Sequence, residues 1–344
     1  MTSANEETTL LAFLARRYAL KAPDLLPLAH GEKQVYRVRQ ADGPDCVLRL
    51  YRPDGFQGDA ETVAGLAEIL LFLERQDYPA ERVIPARDGA PVVHFGEQLM
   101  LVTTFVGQTL RPWQPGTGEP VQDVARAEDA LSPQTFFAVG SALARLHTLP
   151  LSADRPLRRA GMLPRRELSW VAGELAALAG RLPGQWQADY DKLVTAVEKM
   201  EYGEDLPAAL IHNDPNLGNV ALTPSGEVVL IDWDCAGLGP ALLDLGILLR
   251  NCFSKQERRI NQAAVLAVVA GYSQQRRLTP AEVERLPAMI RFMTLVLLAA
   301  CFPDRANGTL AEDDLLYGAT YAAWQAQYDA ADQIAALASA RFSY

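Results

Sequence analysis

The chain has 344 residues, 49% hydrophobic and 22% charged, an ordinary globular composition that argues against a disordered or fibrous protein. Its formal net charge of −10 and pI near 5.0 lack the basic footprint of a nucleic-acid binder. The longest strongly apolar run, Phe292 to Phe302, is well short of the roughly 20 residues that cross a membrane. The four cysteines, Cys46, Cys235, Cys252 and Cys301, are scattered and show no CxxC spacing, which argues against a disulfide framework or zinc site and for a reducing cytoplasm.

In chain order, the opening "MTSANEETTLLAFLARRYAL" carries acids where a secretory signal needs positive charge. Its Leu10, Leu11, Phe13, Leu14 and Tyr18 read instead as one face of a surface helix. Val35–Val38 and Cys46–Tyr51 are strand-like and flank a turn at Ala41-Asp42-Gly43-Pro44, which predicts a hairpin. Residues 59–75 have apolar positions at helical spacing, and strands near Pro91–Phe95 and Gln98–Phe105 flank a turn at Gly96. "GQTLRPWQPGTGEPVQD" reads as loop. From Ser132 the pattern is helical, over 132–148, 167–181, 184–200, 239–251, 255–275, 279–302 and 309–340. Residues 210–234, "LIHNDPNLGNVALTPSGEVVLIDWD", interrupt the helices as a loop and a hairpin turning at Thr223–Gly226. The expectation is an α+β chain of two unequal lobes: a small antiparallel sheet with one inserted helix over 1–103, and a larger helical lobe over 104–344.

The chemistry concentrates in that interruption. Asp214 and Asn219 are separated by Pro215 and Gly218, residues that disfavour a regular helix, so both side chains can serve one cleft. Asp232 ends an apolar strand, and Asp234 lies two residues on. An asparagine oxygen with an aspartate carboxylate is a hard-oxygen set suited to Mg2+. A further aspartate kept off the metal can orient a hydroxyl or take its proton. Base, asparagine and metal-binding aspartate together are what phosphoryl transfer uses.

"HNDPNLGN" followed by "IDWDCAGLGPALLDLG" resembles the Brenner-type motif of the aminoglycoside phosphotransferase and choline kinase superfamily, and "ARLHTLP" resembles the family's helix end before the central loop. The resemblance runs over nearly the whole chain and implies a bilobal protein-kinase-like fold, with nucleotide bound by the first lobe and the acceptor by the second. Position by position it implies Asp214 as catalytic base, Asn219 and Asp232 as Mg2+ ligands, His212 as a loop-orienting histidine and Asp244 as a buried brace of the catalytic loop. Pro215 and Asn216 depart from the family's apolar residue and histidine. Pro215 also biases Asp214 toward extended backbone.

For the nucleotide, period-two alternation puts Val47, Arg49 and Tyr51 on one face of their strand and Leu48 and Leu50 on the other. Arg49 stands where the wider fold carries lysine. The resemblance pairs it with a helix acid, Glu68 in preference to Glu61, and gives it the α/β-phosphates, with Val47 beside the base. It further implies Gly31 as a phosphate-covering turn, and the backbone of Thr103 and Phe105 as a hinge against adenine. The implied cofactors are ATP, with GTP left open, and Mg2+. The implied partner is a small hydroxyl-bearing molecule such as an aminoglycoside, amino alcohol, homoserine or sugar. Asp234, Asp304, Glu312, Asp313 and Asp314 could receive a cationic acceptor or be solvated surface charges. Two other readings use the same residues: a metal-dependent phosphohydrolase, and a nucleotide-binding kinase-like module without catalysis. Oligomeric state leaves no signal in the sequence.

Overall fold

A computed structural model of the chain describes residues 4–18, 20–21, 23–29, 33–53, 58–110, 131–151, 157, 168–182, 184–200, 205–254, 257–306 and 315–342. In chain order its elements begin with α1 (Ala4–Tyr18), β1 (Asp24–Ala29), β2 (Lys33–Arg39), β3 (Cys46–Tyr51), α2 (Ala60–Arg75), β4 (Val92–Phe95), β5 (Gln98–Thr104) and β6 (Gln108–Thr109). Helices α3 (Pro133–His147), α4 (Leu168–Leu178) and α5 (Gln187–Glu198) follow, then β7 (Ala208–Ile211), β8 (Val220–Leu222), β9 (Val228–Leu230) and β10 (Gly237–Pro240). The rest comprises α6 (Ala241–Arg250), β11 (Phe253–Ser254), β12 (Arg259–Ile260), α7 (Gln262–Ser273), α8 (Pro280–Ala306), α9 (Leu315–Asp329) and α10 (Ala331–Phe342). The class is α+β, as the sequence predicts.

The chain forms two compact units: Met1–Glu128 with Leu217–Ala236, and Asp129–Asn216 with Gly237–Tyr344. A boundary at 103 therefore falls inside the first unit, and the hairpin expected within the helical part belongs to that unit too. Backbone pairing is the reason. β6 pairs with β8, Gln108 opposite Leu222 and Thr109 opposite Ala221, and the Leu110 N–H donates to the Val220 carbonyl at 2.8 Å.

The first unit is built on an antiparallel sheet of order β1-β2-β3-β5-β4. The period-two reading of β3 decides its two faces. Cys46, Leu48 and Leu50 join Leu10, Leu14 and Tyr18 of α1, with Tyr36, Val38, Met100 and Val102, in one apolar core. Arg49 and Tyr51 face the other way, yet all six residues of β3 are buried. β1 is the strand that sequence patterning passes over. Its Pro27 lacks an N–H, and the strand lies at the sheet edge, where that loss is tolerated; the register shifts between Pro27 and Ala29. On α2, Asp59 caps the N-terminus by accepting from the Thr62 N–H at 2.8 Å, and Val63, Leu66, Ile69, Leu70 and Leu73 are buried at helical spacing.

The second unit is helical. All ten residues of α6 are buried, which fits a segment apolar on nearly every side. β10 pairs with β7, Gly237 opposite Ile211, so the strand that leads into His212 lies beside the one that leads into α6. Two expected helices differ from what forms. The 255–275 pattern becomes the short β11–β12 hairpin followed by α7, which Asn261 caps by accepting from the Ala264 N–H at 3.0 Å. The 309–340 pattern gives two helices, α9 and α10, meeting at Ala330.

Candidate active site

In the second unit, β7 delivers His212, Asn213 and Asp214 to a loop that a buried carboxylate holds. Asp244 is wholly inaccessible on α6. Its Oδ2 accepts the His212 backbone N–H and its Oδ1 the Asn213 backbone N–H, each at 2.7 Å. Charge-assisted bonds of this kind compensate a carboxylate taken out of water. Asn213 has φ +62, a left-handed conformation that asparagine adopts more readily than most residues. The loop is thereby turned so that Asp214 is half-buried rather than enclosed.

Asp244 has a third partner. His147, at the end of α3, approaches Asp244 Oδ2 with Nε2 at 3.2 Å, and its Nδ1 lies 2.8 Å from the Tyr272 hydroxyl on α7. Burial pushes the His147 pKa below 6.5, against the pull of Asp244, so the neutral ring donates from Nε2 to the carboxylate and accepts at Nδ1 from Tyr272. Arg276 donates to the Tyr272 hydroxyl at 3.1 Å and to Glu282 at 2.6 Å. A chain of polar contacts thus runs from Glu282 to the Asp214 loop. His147 sits in the "ARLHTLP" segment, but a helix-end histidine gives no sign in sequence of which carboxylate it will meet.

The first unit holds the other motif residues. Asn219 is buried at the end of a 3₁₀ turn, Leu217–Asn219, and its carbonyl accepts the Ile231 N–H at 2.9 Å. This tie fixes the start of the β8–β9 hairpin to its end and so brings Asn219 near the run that leads into Asp232. Asp232 also has a left-handed backbone, φ +65 and ψ +61. The next residue, Trp233, is buried, bonds its indole N–H to the Leu230 carbonyl at 2.9 Å and meets Tyr78 edge to face at 5.9 Å. Asp234 is buried and accepts from the Tyr51 hydroxyl at 2.8 Å.

One cation joins the two aspartates. Lys33, first residue of β2, places Nζ 2.5 Å from Asp232 Oδ1 and also contacts Asp234 Oδ2. The carboxylates therefore converge on a single positive centre, and the ammonium stands in for a cation there. Such a pair, with Asn219 nearby in sequence and hairpin, fits a hard divalent ion bound through one or two carboxylates. Among the described residues no group of three or more histidine, cysteine, aspartate or glutamate side chains converges to hold a metal. Lys33 was absent from the sequence-based site because a lysine opening a strand is most often a solvated edge charge.

The Arg49 expectation changes. Its acid is Glu81, not Glu68, which is exposed on α2. Arg49 Nη2 donates to Glu81 Oε1 and Nη1 to Thr103 Oγ1, both at 2.9 Å, and Thr103 Oγ1 donates to Glu81 Oε2 at 2.6 Å. Only 5% of Arg49 and 2% of Glu81 are accessible. Burial opposes the Arg49 charge, but Glu81, Tyr51 and Asp232 outweigh it and raise the pKa further. Glu81 lies in an irregular stretch bridged at Ala80 to Leu230 of β9 and at Val83 to Thr103 of β5. Held between those two points, it also receives the Asp232 N–H at 3.3 Å. The resemblance implies a helical acid; the long-range bridges of the stretch after α2 to β9 and β5 supply Glu81 instead.

The expected hinge differs as well. Thr103 is paired with Val47 in the sheet and uses its side chain on Arg49. The Phe105 N–H donates to the Asp45 carbonyl at 3.2 Å, and its ring lies 4.1 Å from the Arg37 guanidinium carbon. The Phe105 N–H is thereby engaged within the protein rather than offered to a base. Val47 is buried between Arg37 and Thr103 in the ladder. Gly31, Glu312, Asp313 and Asp314 lie outside the described residues, and of Asp304 only its place in α8 is described. An open groove of about 920 Å³ between the β11–β12 hairpin and the α9–α10 junction, lined by Phe253, Arg259, Asn261, Asp329 and Gln333 among others, contains none of the motif residues.

A profile of the phosphotransferase enzyme family matches residues 24–286. The homoserine kinase of Pseudomonas aeruginosa is 26% identical over 287 residues, 83% of each chain. Among solved structures, an amicoumacin kinase in complex with AMP-PNP, Ca2+ and Ami superposes with a TM-score of 0.66 at 16% identity, covering 95% of this chain and 94% of that one. A microcompartment-associated aminopropanol kinase gives 0.61 at 21%, covering 95% and 97%. The matched span contains the sheet, the Asp244-braced loop and the Asp232–Asp234 pair, and the chain belongs to the phosphotransferase enzyme family.

Proposed function

We propose that this protein is an ATP- and Mg2+-dependent kinase that phosphorylates the hydroxyl of a small amino alcohol of the homoserine type, in the cytoplasm. The observation that carries the metal-nucleotide part is the convergence of Asp232 and Asp234 on one cation. Asn219 and Asp232, with the Asp234 carboxylate converging on the same point, would hold the Mg2+, which supplies charge neutralisation at the transferring phosphoryl group. The acceptor class rests on the homoserine kinase that aligns over 83% of both chains.

In this reading Asp214, on the loop braced by Asp244, orients the acceptor hydroxyl and takes its proton. The hydroxyl oxygen bonds to the γ-phosphorus while the bond to the bridging oxygen breaks, and ADP leaves. Positioning and electrostatics supply most of the acceleration. Arg49 acts at one remove: it holds Glu81, and Glu81 holds the Asp232 backbone.

Asp214→Asn tests the assignment. Loss of a general base costs about 10²–10⁴-fold in turnover, so ADP release with homoserine, aminopropanol, choline and aminoglycoside acceptors should fall by that order. The thermal shift on adding Mg2+ and a nucleotide analogue should persist. Unchanged turnover would remove Asp214 from the mechanism. Phosphate release without any acceptor would favour a phosphohydrolase, and the same panel run with GTP settles the nucleotide.

A further inference from the structure

We propose that Lys33 is a built-in counter-cation: in the nucleotide-free protein its ammonium occupies the position between Asp232 and Asp234 that the divalent ion needs, so that metal binding must displace it. The proposal rests on the metal-site reading above and adds a competitor to it.

Two carboxylates facing one point repel each other, and Asp234 has lost nearly all its water, with a side chain only 4% exposed. Such a pair calls for a positive charge at the point of convergence. Arg49 does not provide it at that point, because its guanidinium is held by Glu81 and Thr103. Lys33 does, reaching Asp232 at 2.5 Å and Asp234 as well, from a side chain 18% exposed. Tyr51 fixes the far oxygen of Asp234, and Glu81 fixes the Asp232 backbone. The Asp234 carboxylate and the Asp232 backbone are therefore held in place, and the lysine is the member that can withdraw.

Lysine suits this role better than arginine. Its charge is compact and sits on a four-carbon stem with many rotamers, so it can withdraw without moving the backbone of β2. A magnesium ion takes oxygen ligands at about 2.0–2.1 Å, and an ammonium on the same oxygens leaves no room for it. The consequence is weak metal affinity in the free protein, with one of the two carboxylate charges offset until the ion arrives.

The test uses the full-length, nucleotide-free chain and Mn2+, with free Mn2+ followed by its paramagnetic resonance signal. Lys33→Met and Lys33→Ala should each bind Mn2+ at least tenfold more tightly than the unaltered protein, while Lys33→Arg, which keeps the charge, should not. Thermal melting confirms that each variant is folded, and either neutral variant suffices. Equal or weaker Mn2+ binding by the neutral variants overturns the proposal. Asp232→Asn separates the two layers. If it abolishes Mn2+ binding while neutral Lys33 variants bind like the unaltered chain, the metal site stands and the competition fails. If Lys33→Met binds Mn2+ equally well with Asp232 replaced, the metal-site reading itself fails, and the competition with it.

Discussion

Asp244 and His147 are both buried ionisable groups, and they tolerate burial for different reasons. Two backbone N–H groups and the His147 ring point at Asp244 and take the place of the water it has lost. His147 avoids charge altogether. Burial, the largest influence, lowers its pKa below 6.5. The unfolded chain therefore binds a proton that the folded chain refuses. The stability this gives is fully present above pH about 6.5 and is lost as pH falls from there toward the lower folded value. His147→Gln, which can still donate to Asp244, should flatten that acid limb. Urea midpoints measured from pH 7.5 to 5 would show it, and a parallel fall in both proteins would clear His147 of the effect. Asn213 and Asp232 make the complementary point about backbone. Both motif positions have positive φ, and residues with short polar side chains enter that region at lower cost than branched ones.

At the scale of elements, the crossing of α3 and α7 sets the His147–Tyr272 contact. A Cβ on Gly140 would lie 2.3 Å from the Val268 carbonyl oxygen, and one on Gly271 would lie 2.0 Å from that of Phe137. Each helix thus has a glycine where the other's backbone passes. Gly271→Ala should force the helices apart and destabilise the second unit by roughly 1–3 kcal/mol, the usual cost of overpacking. It should also loosen the Asp214 loop through Tyr272 and His147. Lower Tm together with reduced turnover is the expected result, and an unchanged Tm would refute the close crossing. Much of the arrangement was legible in residues 210–234, where turn chemistry, strand period and motif spacing agree. The alternation of β3 also separated the apolar face from the one bearing Arg49 and Tyr51. What sequence did not disclose depended on long-range pairing. β1 was hidden by Pro27, tolerable only at an edge. Glu81 was hidden because its place comes from bridges to β5 and β9 rather than from any helical period. Lys33 was hidden because nothing local marks it as the partner of aspartates 199 and 201 residues away.

For the whole molecule, the decisive fact is that the first unit is discontinuous. Residues 217–236 supply β8, β9 and the buried Trp233 to a unit whose remaining part ends at Glu128. A fragment of residues 1–128 should therefore show no cooperative unfolding transition by calorimetry, whereas the complete chain should; a sharp transition in the fragment would show that the five-stranded sheet is self-sufficient. The same discontinuity sets a schedule for synthesis. The segment from Asp129 to Asn216 must be made before the first unit can receive its last strands. At about 5–20 residues per second this is a wait on the order of 5–20 s, during which the Arg49–Glu81 pair is made but the backbone N–H that Glu81 will hold does not yet exist. The aspartates at 232 and 234 are thus among the last parts of the first unit to emerge from the ribosome, and the nascent sheet carries Lys33 before it carries either carboxylate that Lys33 will meet.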